Sequence, residues 1–428
     1  MPQHLRVERA LALVPDSEEF LPLTDAVIGT SRADLDKVWA RSGSYATLGK
    51  RLVDPAKLSE LIPVIAERAQ RRLQELFQLI LTAIAEQQAG NLAAAASRLI
   101  EAGELEEAER RMEKAEKFYE MALEIARDLR EKAPHILALR RLGRICRGVG
   151  RLDDGWSWYE QSYQLSVDQL DVPGQVIACQ GLGNICDDRG QRDRARQWYE
   201  RGLTLAEGIE DPDLFWPFYI NLSLMALLDG ESERAQALLD RARDYIDAAG
   251  SEAALLYWHN NRGLLLLEIN DLAGAEQVYR EGLQRSDDAF WEMTMRVNLG
   301  QALVRQGRLF EAEEQARKAE EIAILNRFIR DLVDVYDLLG TIARTRCDEE
   351  GFVFYEQALC VCQEREMPRK VEASIYHGYG RLHVACGRNE EAAAYLEQAR
   401  EIYASLGLAT ELGKVNAVLE SLGSPASD

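Results

Sequence analysis

Leu182-Gly183-Asn184-Ile185-Cys186-Asp187-Asp188-Arg189-Gly190, followed by Ala195 and by Tyr199-Glu200-Arg201-Gly202-Leu203, sets the fold because the rest of the chain repeats it. Gly183 belongs to a series of small residues: Gly143, Gly183, Ser223, Gly263, Gly300, Gly340 and Gly380, spaced 40, 40, 40, 37, 40 and 40 apart. Seven residues after each anchor stands a turn former, Gly150, Gly190, Gly230, Asn270, Gly307 and Gly387, with Cys347 as the exception. Twelve after it comes a second small residue: Gly155, Ala195, Ala235, Ala275, Ala312 and Ala392. The Cys347 copy has lost one residue in its turn, so Gly351 takes that place. Tyr355-Glu356-Gln357-Ala358-Leu359 and Tyr279-Arg280-Glu281-Gly282-Leu283 echo the Tyr199 segment. Self-similarity at a fixed period of this length marks a stack of supersecondary units.

Each unit reads as an antiparallel helix pair. Helix A carries the anchor, the glycine turn reverses the chain, and helix B carries the Ala and the Tyr. Small residues at fixed places let two helix backbones approach, and bulky residues fill the holes between neighbouring pairs. No pair buries its apolar face alone, so the expectation is an all-α, right-handed α-solenoid. Ala, Leu, Glu, Arg and Gln dominate the composition, which suits helices.

Working outward, Ala102-Gly103-Glu104-Leu105-Glu106-Glu107-Ala108 reads as another turn and Tyr119-Glu120-Met121-Ala122-Leu123 as another helix B. Ala108 and Tyr119 are 11 apart where Ala195 and Tyr199 are 4 apart. That excess is about two helical turns and predicts a lengthened second helix. Asp54-Pro55 is a cap with Pro at the first helical position, so a helix should run from there to about Gln88, with a kink or break at Pro63. The expected organisation is therefore an N-terminal helical extension over 1–53, degenerate helices over 54–133, seven units over 134–407, and a capping helix with a tail over 408–428.

The pattern over 134–407 resembles the tetratricopeptide repeat family, in the long-period form of kinesin light chain and Pins-like adaptors. Ser223 departs from the anchor Gly, and Arg262 and Tyr379 replace the Leu that precedes it elsewhere. The resemblance implies a superhelix whose helices A line the concave side, and a protein or peptide partner.

Charge and cysteines narrow the function. The 428 residues carry 51 Lys plus Arg against 72 Asp plus Glu, a net −21. A surface of that sign repels nucleic acid. Met1–Phe20 lacks the apolar core of a signal peptide, and no apolar run is long enough for a membrane span. Seven Cys without a Cys-x-x-Cys pair suit a reducing, cytoplasmic setting. Gly181-Leu182-Gly183 lacks a dinucleotide site's third glycine. His377 and His383 fall on different helix faces, and Cys360-Val361-Cys362 has no zinc spacing. The expectation is a non-catalytic scaffold without metal or cofactor.

A candidate site follows from the register. At about 100° per residue, positions −3, +1 and +4 from the anchor form one stripe of helix A with −2 at its edge, while the anchor, −1 and +3 face the core. The stripe opens with Arg140, Arg141, Arg144 and Arg147, and continues through Asn184 to Asn221, Leu224 and Leu227. Asn261, Leu264 and Asn298 follow, with Ile220 and Leu267 alongside. It ends mixed, with Asp337, Thr341, Arg344, His377 and Arg381. A carboxamide pairs with both the N–H and the C=O of an extended peptide, so Asn221, Asn261 and Asn298 read as a backbone ladder. Guanidinium forks take carboxylate or phosphate, so the arginines predict an acidic ligand group near the first unit. Phe215-Trp216-Pro217-Phe218-Tyr219 and Phe290-Trp291 read as packing between repeats. A second copy of the chain stays among the candidate partners. The alternative is a peptide-sensing transcription regulator, with Ser31–Arg41 and Tyr45–Leu52 as a degenerate helix-turn-helix.

Overall fold

In this computed structural model, residues 55–108, 111–326, 328–364 and 367–423 are described. The expectations for 1–53, the helix-turn-helix among them, and for the tail after Gly423 lie outside these residues. The described residues hold 18 α-helices and no strand. The chain divides into two compact units, residues 1–254 and 255–428.

The first unit begins with α1 (Pro55–Gln88), which runs unbroken through Pro63. Four helix pairs follow: α2 (Leu92–Ala108) with α3 (Met112–Ala126), α4 (Ala133–Gly148) with α5 (Leu152–Asp168), α6 (Val172–Asp188) with α7 (Arg192–Ala206), and α8 (Trp216–Leu228) with α9 (Ser232–Ala249). The second unit holds α10 (Glu252–Glu268, from Leu255 on) with α11 (Leu272–Arg285), α12 (Ala289–Arg305) with α13 (Leu309–Leu325), α14 (Leu332–Arg346) with α15 (Glu350–Glu364), α16 (Arg369–Ala385) with α17 (Asn389–Ser405), and a final α18 (Ala409–Gly423). The architecture is an all-α array of stacked antiparallel pairs. Within the units, the backbones of successive A helices come close, α2 on α4, α4 on α6, α12 on α14 and α14 on α16, while successive B helices meet through long side chains, as Trp198 of α7 does with Trp156 and Tyr163 of α5.

The register explains the elements. All seven turn positions adopt the left-handed conformation, with φ from 54° at Cys347 to 85° at Gly150; Asn270 and Cys347 reach it without being glycine. Glycine is the residue that enters this region without a Cβ penalty. The anchor glycines have a different task. A Cβ on Gly143 would stand 2.7 Å from Cδ2 of Tyr159, and one on Gly183, Gly263 or Gly340 would collide with Tyr199, Tyr279 or Tyr355. The tyrosine from helix B lies across the slot left by the missing side chain. Tyr119, Tyr199, Tyr279 and Tyr355 are among the largest fully buried side chains.

One expectation is overturned here. Ala102–Ala108 is the last part of α2, not a turn, and α3 has 15 residues, so the second helix is not lengthened. Gly103 is a further anchor, 40 residues before Gly143, and its missing side chain makes room for Tyr119. The repeating glycines either bend the chain or make room for a bulky side chain, and Gly103 makes room for Tyr119. Leu76 and Ile80 of α1 close this first pair together with Leu99, Phe118 and Leu139. At the other end Val415 of α18 is buried against Leu396, Ala399 and Tyr403 of α17.

Candidate functional site on the A-helix faces

The tyrosines do more than fill space. Their rings cross the anchor slot from helix B, and their hydroxyls reach the stripe of helix A. Tyr119 donates to Glu107 at 2.7 Å, Tyr199 donates to the Asn184 Oδ1 at 2.8 Å, and the Tyr355 hydroxyl lies 3.4 Å from that of Thr341. Where the stripe carries Leu264, the buried Tyr279 hydroxyl has no hydrogen-bond partner. Burial alone pushes that phenol above its ordinary range.

In the first unit, three of the four predicted arginines have counter-ions about one repeat away in sequence. Arg141 binds Glu104, Arg144 binds Glu107 at 2.7 Å, and Arg147 binds Asp188 at 2.6 Å. Arg140 lies half-buried beside them. Burial and then the Arg141 charge lower its guanidinium pKa, with Asp171 acting in the opposite direction. The cluster as built is partly self-neutralised, and Arg140 is its least compensated member. Asn184 and Asn221 come together: the Asn221 Nδ2 donates to the Asn184 Oδ1 at 2.9 Å, the same oxygen that takes the Tyr199 hydroxyl. Leu224 and Leu227 are half-buried on the same face. Ile220, expected with them, is buried in the core instead.

In the second unit the Asn298 Nδ2 donates to the Asn260 Oδ1 at 2.8 Å. Asn261 is not part of that pair; its Nδ2 turns back to the Tyr257 carbonyl of its own helix at 2.9 Å. Leu264 is half-buried beside them and Leu267 is buried. The carboxamides therefore hold one another in pairs rather than standing free in a row of three. Asn260, three before its anchor, belongs to the predicted stripe, and it takes the ladder place that two-before-anchor counting gives to Asn261. Glu104 and Glu107 were missed because their stretch reads as a turn.

The aromatic segments pack between helices as expected. Phe215 stacks on Tyr245 with centroids 4.6 Å apart, and Trp291 meets Tyr257 edge-on at 4.5 Å. All seven cysteines are free thiols, and burial pushes Cys146 up to about 11 and Cys179 up to about 12. Among the described residues no group of three His, Cys, Asp or Glu is placed to hold a metal, and no helix is long and apolar enough to cross a membrane.

Comparison with known proteins agrees with this geometry. Models of the tetratricopeptide repeat match residues 178–213, 295–318 and 373–405. Curated protein sequences give no match. Among solved structures, the apo form of the quorum sensor NprR from B. thuringiensis is similar at 14% identity and a TM-score of 0.55, over 81% of this chain and 97% of that one. The Rap conjugation gene regulator of the plasmid pLS20, in complex with the Phr* peptide, is similar at 14% identity and a TM-score of 0.54, over 78% of this chain and 96% of that one. A signal transduction ATPase with a tetratricopeptide repeat sensor from Pyrococcus horikoshii gives 14% identity and a TM-score of 0.50, over 98% of this chain and 67% of that one. At such identities the likeness concerns the fold. Helix pairs in constant register, tyrosines seated in anchor slots and three matched stretches show that this chain contains tetratricopeptide repeats.

Proposed function

We propose that this protein is a non-catalytic interaction scaffold of a reducing, cytoplasmic compartment, and that the A-helix faces of its units bind an extended peptide segment of a partner. The observation that carries this is the composition of the stripe in the first unit. Half-buried Leu224 and Leu227 lie in one stripe with the fixed Asn184–Asn221 pair and with Arg140. Apolar contact there supplies affinity at about 25 cal/mol per Å² before ordering costs. A carboxamide already held by its neighbour meets peptide backbone at little entropic cost. Arg140 favours an acidic group on the ligand. The solved Rap regulator with its Phr* peptide supports the reading, since an array of similar fold carries a peptide.

The test is selection of linear peptides from a random library against the full-length protein, followed by fluorescence polarisation of the best binder. Leu224→Asp is expected to weaken binding at least about tenfold at every salt concentration, because it sets an unpaired charge against apolar ligand surface. Arg140→Gln should cost about as much at low salt and progressively less as the ionic strength approaches ~0.5 M, where exposed charges are screened within about 4–5 Å. A selected peptide indifferent to both changes would place the binding surface elsewhere.

A further inference from the structure

The tyrosine hydroxyls that cross the anchor slots end at residue +1 or +4 of helix A. Tyr119 donates to Glu107 at +4, Tyr199 donates to Asn184 at +1, and the Tyr355 hydroxyl lies 3.4 Å from that of Thr341 at +1. The Ser223 repeat carries Leu224 and Leu227 at these places, and its B helix has the buried Leu239 where the others have tyrosine. Polar is thus matched with polar, and apolar with apolar. The Gly263 repeat mixes the two: its +1 and +4 residues are Leu264 and Leu267, yet its B helix carries Tyr279.

The mismatch leaves a donor without an acceptor. Tyr279 is fully buried, and a Cβ on Gly263 would stand 2.8 Å from its hydroxyl oxygen, so the phenol ends at helix A. That hydroxyl is covered and has no hydrogen-bond partner among the described residues. A buried hydroxyl left unpaired costs more than a typical hydrogen bond contributes, and phenylalanine would fill the slot without that cost. Around the place of the missing acceptor, Leu264 is half-buried. One turn before it, Asn260 holds Asn298 at 2.8 Å on the same face. Burial alone acts on the phenol, with no charged group contributing. A neutral amide carbonyl suits such a place, whereas a carboxylate would be buried there without a counter-charge.

We propose that the Tyr279 hydroxyl is a recognition donor for the bound segment. A carbonyl oxygen of the ligand takes the acceptor place that Asn184 and Thr341 fill in their own repeats, and the Leu264 side chain turns aside to admit it. The inference rests on the peptide reading above and adds to it one required feature of the ligand, an amide carbonyl seated between α10 and α11.

The test uses the full-length protein and the library-selected peptide. Tyr279→Phe should weaken binding about three- to tenfold, the loss of one buried hydrogen bond. It should not lower the thermal midpoint of the free protein, because no internal bond is lost. Tyr199→Phe, which gives up the Asn184 bond, should lower that midpoint. Leu264→Asn supplies the acceptor that Asn184 supplies to Tyr199, so it should raise the midpoint in the wild-type background and not in Tyr279→Phe. Peptides with one backbone carbonyl at a time replaced by a thiocarbonyl, a weaker acceptor, locate the partner. At one position the replacement should weaken binding to wild type and make no difference to Tyr279→Phe. Equal peptide affinity in wild type and Tyr279→Phe, with Leu224→Asp still weakening it, overturns the donor and leaves the peptide reading standing. A midpoint lowered by Tyr279→Phe as far as by Tyr199→Phe reveals an internal partner and overturns the donor as well. If no peptide is selected, the peptide reading falls and the donor role falls with it.

Discussion

Glu106→Ala should destabilise the N-terminal end of the array by about 3–5 kcal/mol, the cost of removing one partner from a buried ion pair. The Glu106 side chain is fully buried and that of Arg72, from α1, is 3% exposed; the two are ion-paired, and the Arg111 Nε lies 4.0 Å from the same carboxylate. Glu106 occupies position +3 of the Gly103 anchor, where later repeats place Cys146, Cys186, Ala226 and Leu303. A carboxylate in that slot is tolerable because Arg72 of α1, with Arg111 close by, brings guanidinium charge to it. Truncating Glu106 leaves cationic charge in a low-dielectric core. Arg72→Met/Glu106→Leu should recover most of the loss, since apolar residues of similar volume need no counter-ion. Urea unfolding of wild type, single and double variants measures both effects. A single variant as stable as wild type would show that the charge finds compensation elsewhere.

Gly183→Leu should cost about 3 kcal/mol through overpacking alone, and about 1 kcal/mol more for the hydrogen bond it displaces. Even a single methyl group at 183 collides with the buried Tyr199 ring, whose hydroxyl is held by Asn184 at 2.8 Å. Because Tyr199 also touches Phe218 of the next pair, at 6.3 Å between centroids, the disturbance should spread to α8. Gly190→Ala is the informative contrast. Gly190 has φ of 71° and open space around its missing Cβ, so only the left-handed backbone is penalised, at about 1–2 kcal/mol. Adding Tyr199→Ala to Gly183→Leu should return part of the loss by emptying the slot, as thermal unfolding of the series would show. If both glycine variants cost the same, the distinction between slot and turn is wrong.

These contrasts also mark how far the sequence could be read. The anchor period, the turn positions and the small residue of helix B prescribe the helix pairs, because a residue needed for close packing or for positive φ must recur wherever the unit recurs. The Asp171 and Asp271 caps, each accepting from the backbone N–H three residues on at 3.0 and 2.9 Å, are equally local. The first pair was misread at Gly103, where one residue type serves two purposes and the choice between them depends on whether a tyrosine arrives from helix B.

The candidate face was legible as a list of positions and not as a pattern of bonds. Helical periodicity assigns Arg141, Arg144, Asn184 and Asn221 to one stripe, since it depends only on about 100° per residue. Whether a side chain on that stripe stays available depends on its partner, and the partners stand about one repeat away: Glu104 for Arg141, Glu107 for Arg144, Asn184 for Asn221. Which of them meet is set by how neighbouring A helices rotate and slide against each other, a property of packed pairs that no single repeat encodes. The sequence by itself thus determined the all-helical stack, its period and its two kinds of glycine, because those are local and repeated. Only the tertiary structure decided that most of the first arginines are neutralised, and that Asn184 holds Asn221 and Asn260 holds Asn298, because those depend on contacts between repeats.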